Sequence, residues 1–423
     1  MCYIKDLYKY EGEEVTIKGW VYNRRSSGKI VFLLIRDGTG IVQVVVSQGK
    51  VSEDVFGLCD TIPYESSVII TGRAYKDERA PGGYELSFEN IVVVSFAEDY
   101  PISLKEHGIE FLMEHRHLWL RSRKPLAVMR IRATCIKAIC DFFDSKGFVR
   151  LDAPLLTPSA CEGTTTLFEV PYFDARAYLS QSGQLYMEAG CMALGRVYCF
   201  GPSFRAEKSK TRRHLTEFWQ VEPEVAYATL EDVMKLAEGL VEYIVASVLD
   251  KNSLELEILE RDTKPLKKIK NPFESITYTE AMNLVDMDWG GDFGAPEETK
   301  LSNMFEKPIL VTGYPHEIKA FYMKRNPQDD RIALNFDMLA PEGYGEIIGG
   351  GQREDDLAKL EERIDEYNLP RKHYEWYLDL RRYGTCPHAG FGLGLERTVA
   401  WICGVHHVRE TIPFPRTIDR IYP

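Results

Sequence analysis

The segment Phe200–Glu224 constrains this chain more than any other. It runs Phe200-Gly-Pro-Ser-Phe-Arg205-Ala-Glu207, then a basic link Lys208-Ser-Lys-Thr-Arg-Arg213-His214, then Leu-Thr-Glu217-Phe218-Trp-Gln-Val-Glu-Pro-Glu224. Two arms of alternating apolar residues around a short charged link predict a β-hairpin. On arm chemistry Arg205 and Glu207 share one face and Phe204 takes the other, while Glu217 and Trp219 alternate against Phe218. An arginine, an acid and an aromatic ring converging on one hairpin face would suit a phosphate, a metal or amine, and a flat base. The plainer reading is a surface hairpin with a solvated basic tip, because charged loop tips are common.

A chain of 423 residues predicts two or three domains rather than one. No apolar run is long enough to cross a bilayer, and the opening Met1-Cys-Tyr-Ile-Lys-Asp6 lacks the layout of a signal peptide. The nine cysteines include no Cys-x-x-Cys pair, which argues against a disulfide framework and a thiolate zinc site. A cytoplasmic protein without membrane contact is therefore expected. The formal charge of −12 excludes generic coating of nucleic acid but leaves room for a local basic surface.

Residues 13 to 47 alternate as a three-stranded meander, with turns at Asn23–Gly28 and Gly38–Gly40. A short amphipathic piece, Ser52 to Cys59, and two further strands, Ser67–Tyr75 and Tyr84–Val94, complete a five-stranded OB-fold pattern. Arg24, Arg25 and Phe32 gather near the first two strands, where OB-folds bind oligonucleotides by pairing cations with phosphates and stacking rings on bases. The competing reading makes Phe32 core. Parity sets Phe32 opposite Val31 and Leu33, so one of the two sets is exposed.

Glu98-Asp-Tyr-Pro101 marks a boundary, so residues 1–101 are read as one domain, 102–122 as a hinge and 123–423 as a second domain. Arg123 to Lys146 is a long amphipathic helix closed by Gly147, followed by a strand that ends at Pro154. Glu162 sits in a loop, and Ser180-Gln-Ser-Gly-Gln184-Leu-Tyr-Met187-Glu188 enters another helix. Thr229 caps a helix to about Leu249.

Towards the end, Gly390, Gly392 and Gly394 recur at every second residue before Glu396 and Arg397. In a strand this leaves one face of backbone bare for a flat ligand. Neither a P-loop nor a Rossmann fingerprint has this spacing. Arg397 then stands at a helix start, suited to a phosphate or a base face. Asp337 and Glu346 lie on neighbouring predicted strands, and such carboxylates with phosphate oxygens complete octahedral Mg²⁺. The plainer reading pairs one of them with a local arginine, and paired carboxylates also serve glycoside chemistry. The surrounding arginines favour a polyphosphate.

Phe204-Arg205-Ala-Glu207 with Glu217-Phe218 resembles motif 2 of class II aminoacyl-tRNA synthetases, and Gly390-x-Gly392-x-Gly394-x-Glu396-Arg397 is similar to motif 3. The long helix and the strand ending at Pro154 resemble motif 1. With an OB-fold ahead of them, the whole chain looks like the aspartate/asparagine/lysine subclass. Ser180–Glu188, Glu317-Ile-Lys-Ala-Phe-Tyr-Met323 and Glu346-Ile-Ile-Gly-Gly350 resemble the asparaginyl branch, and Met187 stands where aspartyl enzymes usually carry a lysine. Two departures stand out. The family's usual Gly-Gly-Ser is Gly-Gly-Gly351, and its Trp-Gly-Asp-Asp is Trp289-Gly-Gly291-Asp292.

The resemblance implies an α+β protein, an anticodon-binding OB barrel followed by a catalytic domain built on an antiparallel sheet flanked by helices. It implies a homodimer that activates asparagine with ATP and Mg²⁺ and charges tRNA(Asn). Arg205 would stabilise the α-phosphate, and His214 and Arg397 would hold the outer phosphates of a bent ATP. Phe218 and Arg397 would sandwich adenine, with Glu207 and Gly394 also in the ATP site. Asp337 and Glu346 would carry the metal. Glu162 and Gln184 would hold the backbone end of the amino acid, Arg353 its side-chain carbonyl and Glu188 its amide. Arg24, Arg25 and Phe32 would read the anticodon. Three alternatives stay open: an aspartyl-tRNA synthetase, including a non-discriminating one; a tRNA-independent asparagine synthetase; and a non-catalytic RNA-binding relative.

Overall fold

The computed structural model describes residues 2–103, 105–162 and 166–423. The chain divides into two units, Met1–Gly108 and Ile109–Pro423. In the first, strands β1 (Glu14–Ser27), β2 (Ile30–Arg36), β3 (Ile41–Ser47), β4 (Ser67–Lys76) and β5 (Tyr84–Ser95) close into a barrel in the order β1-β2-β3-β5-β4. Alternation builds it. Val31, Leu33 and Ile35 on β2 and Val42, Val44 and Val46 on β3 are fully buried inside. Helix α1 (Glu53–Thr61) is capped by the Ser52 hydroxyl, which accepts from Val55 N at 3.3 Å.

The expected turn at Asn23–Gly28 is mostly strand. β1 carries on through Ser27, with Arg25 opposite Phe32, and only Gly28 and Lys29 turn the chain. Gly28 has φ +60°, a conformation that costs glycine nothing and lets a tight turn replace a loop.

In the second unit, eight strands form one sheet. These are β6 (Val149–Arg150), β7 (Arg196–Phe204), β8 (Glu217–Ala226), β9 (Glu274–Thr277), β10 (Ile309–Thr312), β11 (Asn335–Ala340), β12 (Gly345–Gln352) and β13 (His388–Gly394), in the order β9-β10-β11-β12-β13-β8-β7-β6. The six central strands are antiparallel, and each edge strand pairs parallel to its neighbour. The predicted hairpin is β7–β8, in register from Arg196↔Val225 to Phe204↔Glu217.

One sheet face is the hydrophobic core. Val221, Phe336, Met338, Ile348, Phe391 and Leu393 pack there against α2 (Arg123–Ser145) and α4 (Leu230–Lys251). Helix α2 presents Val128, Ile131, Cys135, Ile139 and Phe142 at helical spacing. Helix α4 begins at a capping box between Thr229 and Asp232. Strand parity then fixes the other face: Gln220, Glu222 and Glu224 on β8, Asn335 and Asp337 on β11, Gly349 on β12, and Gly390 and Gly392 on β13. Four further helices border this face or follow it: α3 (Gln184–Leu194), α5 (Leu357–Glu366), α6 (Glu375–Arg382) and α7 (Leu395–Cys403).

Candidate active site

The polar face of the large sheet encloses a cavity of about 250 Å³. Glu162, Gln184, Arg205, Glu207, His214, Phe218, Asp337, Glu346, Arg353, Gly394 and Arg397 all line it. Eleven of the twelve sequence-derived residues of the second unit thus meet in one place. The exception is Glu188.

Arg205 leaves β7 at the mouth of the hairpin. Its guanidinium lies 5.4 Å from the Phe218 ring and its Nη2 is 3.6 Å from Glu162 Oε1. Its Nε is buried without a hydrogen-bond partner among the described residues, and a buried unpaired donor is costly unless a ligand satisfies it. Tyr322 donates to Glu162 at 3.1 Å, and Glu207 stands 3.6 Å from His214 Nε2.

The hairpin tip is a solvated basic turn only in part: Lys208 and Lys210 are exposed, but the two arginines are not free. Arg213 is buried, its Nη1 2.8 Å from Glu298 and its Nη2 donating to Gly343 O at 2.7 Å, and Arg212 donates to the same carbonyl at 3.1 Å. Two cations of the link are therefore spent on anchoring it.

The glycine run is bare only in part. Gly392 and Gly394 line the cavity, but a Cβ on Gly390 would collide with the Glu224 carboxylate and Pro223 O. Gly351 shares a strand face with Gly349, and a Cβ there would lie 2.6 Å from Leu334 O and 2.8 Å from the sulfur of Met323, a residue of the cavity lining. The glycine in place of the family's serine is closely packed by this backbone carbonyl and this sulfur.

The two acids on β11 and β12 do converge. A point one bond above Gly349 Cα is 3.0 Å from Glu346 Oε1 and 3.4 Å from Asp337 Oδ1. Each is also paired: Glu346 Oε2 with Arg397 Nη1 at 3.0 Å, Asp337 Oδ2 with Lys319 Nζ at 2.8 Å. Burial pushes both carboxyls up. Arg397, Lys319 and Arg205 bring Glu346 below its ordinary value, whereas Asp337, beside that charged neighbour, stays above. Among the described residues no group of three His, Cys, Asp or Glu forms a self-contained metal site. Two convergent carboxylate oxygens open to a cavity suit an ion that takes its remaining ligands from phosphates and water, the habit of Mg²⁺.

Arg353 is 2% exposed and grips Glu224 with both arms of its fork, Nε to Oε1 at 2.9 Å and Nη2 to Oε2 at 3.0 Å. Its Nη1 meets only the Met323 sulfur, at 3.9 Å, and is left to donate into the cavity.

Glu188 does not read a ligand. It is completely buried behind Gln184, and its oxygens already accept from Tyr377 (2.8 Å), Arg381 (2.7 Å), His388 (2.9 Å) and Gln184 (3.1 Å). A carboxylate that does line the cavity is Glu222, which sequence reasoning missed. It accepts from Gly183 N at 2.8 Å and from the Ser182 hydroxyl, and burial holds its carboxyl above the ordinary value. The alternation Phe218, Gln220, Glu222, Glu224 was the available signal: four non-aliphatic side chains on one face of a buried strand. Met187 is not at the cavity either; it packs with Cys191, Val197 and Cys199.

On the barrel, Phe32 belongs to the outward set, half-buried between buried Val31 and Leu33, with the Arg25 guanidinium 4.7 Å from its ring. Arg24 is committed elsewhere. Its Nε donates to Ile62 O at 3.0 Å and its Nη1 to Asp60 O, so it ties β1 to the end of α1 rather than presenting those donors to a phosphate. The cross-strand register sets Val45 opposite Phe32 and Gln43 two residues along the same strand, opposite Leu34, where it is bonded to Glu85 of β5 at 2.5 Å.

The model of the tRNA synthetases class II (D, K and N) matches residues 108–418, and that of the OB-fold nucleic acid binding domain matches residues 15–94. The asparagine--tRNA ligase of Pelotomaculum thermopropionicum is 56% identical over 425 residues, 99% of each chain. That of Thermus thermophilus is 56% identical over 435 residues, 100% of this chain and 99% of its own. The crystal structure of asparaginyl-tRNA synthetase from Pyrococcus horikoshii complexed with asparaginyl-adenylate superposes with a TM-score of 0.97 at 47% identity, covering 100% of this chain and 99% of that one. A class II sheet with its motif residues around one cavity, an OB barrel ahead of it, and full-length identity above one half lead to one assignment: the chain belongs to the asparaginyl-tRNA synthetase family of class II aminoacyl-tRNA synthetases.

Proposed function

We propose that the chain activates asparagine with ATP to asparaginyl-adenylate, releasing diphosphate, and transfers the asparaginyl group to the 3′ end of tRNA(Asn). The observation that carries this reading is the meeting of phosphate-binding cations, Arg205 and Arg397, with an amino-acid pocket of Gln184, Glu222 and Arg353 in one cavity.

The asparagine carboxylate attacks the α-phosphate and needs no protein base, because it is ionised at neutral pH. Arg205 offers its unpaired Nε and its terminal nitrogens to the charge that builds on the α-phosphate. Phe218 supplies a flat face for adenine, and Arg397, held at a helix start by Glu346, covers the opposite side or the outer phosphates. His214, Glu207 and Gly394 complete the nucleotide end. Asp337 and Glu346 would hold Mg²⁺, which when bound supplies positive charge to the phosphates.

Arg353 Nη1 donates to the side-chain carbonyl of asparagine, and Glu222 accepts from its amide nitrogen. Glu222 thereby replaces Glu188 in that role. Glu162 and Gln184 meet the α-amino group. The barrel stacks an anticodon base on Phe32, with Arg25 nearby for a phosphate and Gln43 for a base edge.

Homodimerisation is supported by the motif 1 likeness and by apolar Val149, Leu155 and Leu156, exposed beside it. Nine free cysteines support a reducing cytoplasm, and no helix among the described residues is long and apolar enough to cross a membrane. Aminoacylation of total tRNA with labelled asparagine and aspartate side by side tests the reading. Charging of tRNA(Asn) with asparagine is expected, and preferential charging with aspartate would overturn it.

A further inference from the structure

Behind the amino-acid end of the cavity lies a closed charge cluster whose side-chain hydrogen bond to the cavity lining runs through Gln184, with Arg353 N donating to the His388 carbonyl at 2.9 Å beside it. Gln184 opens helix α3 and is 7% exposed; Glu188 follows one turn later on the same helix face. Tyr377 and Arg381 come from α6 and His388 from β13, so two separate elements converge on one carboxylate of α3. Arg381 is held in turn by donating from its Nε to Glu354 O at 2.8 Å.

An amide has two ends, and which end faces a ligand decides what the ligand must offer. Gln184 Nε2 donates to Glu188 Oε1 at 3.1 Å. Burial by itself would push the Glu188 carboxyl up, but Arg381, His388 and Arg353 together hold it well below the ordinary range. An ionised carboxylate only accepts. The Gln184 amide is therefore forbidden to flip, and its Oε1 is the end left for the cavity.

We infer that Glu188 is a positioning residue that locks the Gln184 amide with its carbonyl towards the substrate, so that the cavity presents an acceptor to the α-ammonium group of the amino acid. The charge partner Arg381 and the hydroxyl of Tyr377 keep Glu188 in place for that task. The inference rests on the reading that Gln184 touches the amino acid. If Glu188 is replaced by glutamine, position 188 both donates and accepts, and the two orientations of Gln184 become comparable. Half or more of the molecules then turn a donor towards a cation.

A double-mutant cycle on the full-length enzyme tests this, using asparagine-dependent pyrophosphate exchange and the KM values for asparagine and ATP. E188Q is expected to raise the KM for asparagine about twofold or more, the factor by which halving the competent fraction weakens binding, while the KM for ATP stays unchanged. In a Q184A background the same substitution is expected to add no further rise, because its route to the substrate is gone. A full additional loss in the Q184A background, or an equal rise in both KM values, would overturn the inference and mark Glu188 as merely structural. If Q184A alone leaves the asparagine KM unchanged, the Gln184 reading itself fails, whatever E188Q does. Should E188Q not fold because Arg381 is left uncompensated, the same cycle is run with the charge-balanced E188Q/R381L, and the same two outcomes decide.

Discussion

The barrel surface and the sheet cavity both set arginines beside an aromatic ring, and they handle the charge in opposite ways. On the barrel, Arg25 is exposed and rests over Phe32. In the cavity, Arg353 is bidentate to Glu224, Arg397 pairs with Glu346, and Arg205 leans towards Glu162. Exposed cations are hydrated, screened by salt and free to follow a flexible strand. Buried ones must be paired, and the partner then dictates which of their nitrogens remains for a ligand. The contrast suits the two surfaces to different work: the exposed one to adaptive contact with a flexible strand, the buried one to a preset geometry for small ligands.

The largest effect that would sharpen this contrast is on stability. Glu224→Gln strips the buried Arg353 of its counter-charge and is expected to cost about 3–5 kcal/mol, read from the midpoint of urea unfolding. A loss below 1 kcal/mol would show that the cavity tolerates an unpaired arginine and would erase the distinction. Arg205→Ala is expected to lower kcat for asparagine-dependent pyrophosphate exchange about 10²–10³-fold, the usual cost of one preset donor to transition-state charge. Near-normal exchange removes Arg205 from the phosphate site.

Glu222→Gln replaces an acceptor by a group that also donates, and a drop of about 10–100-fold in kcat/KM for asparagine is expected. A pH profile sharpens this test. Burial raises the Glu222 carboxyl above 4.5, so on acidification it takes up a proton earlier than an ordinary glutamate and stops accepting. The asparagine kcat/KM therefore falls on the acid side in the parent enzyme, and that limb flattens in the variant; an unchanged limb would rule Glu222 out as its source.

On the barrel, Phe32→Ala is expected to raise the KM for tRNA about tenfold or more, from a lost base stack of about 1–3 kcal/mol. An equal loss in tRNA-free exchange would break the separation of the two surfaces. The smallest effect belongs to Arg25→Gln, which should alter stability by less than about 0.5 kcal/mol and flatten the salt dependence of tRNA binding by about 0.7 in log–log slope. An unchanged slope would show that Arg25 meets no phosphate.

Most of the cavity was legible in the residue order because its groups sit on regular elements. The hairpin, the glycine-spaced strand and the acids of β11 and β12 each follow a period that names their faces. Glu188 and Glu222 show where that legibility stops. Gln184 and Glu188 share a helix face, so helix geometry treats them alike, but α6 folds over the second and leaves only the first at the cavity. Its partners Arg381 and His388 are 193 and 200 residues away along the chain. Glu222 looked like one more residue of a return arm, because the alternation Gln220, Glu222, Glu224 marks a polar face of β8 without saying which of its acids meets a cavity. Arg24 and Arg25 were indistinguishable as neighbours on a strand. The carbonyls of Asp60 and Ile62, on another element, claim the first of them.

Local chemistry was enough to establish the barrel, the long capped helices, the antiparallel hairpin and the set of charged groups available for phosphate chemistry. These depend on side-chain periodicity, capping and turn residues, all contained within a few residues of chain. Long-range packing alone decided which carboxylates stay open and which are consumed. The pairings of Glu224 with Arg353, Glu188 with Arg381 and Asp337 with Lys319 each join separate elements, and a buried charge takes whatever counter-charge the fold brings within 3 Å.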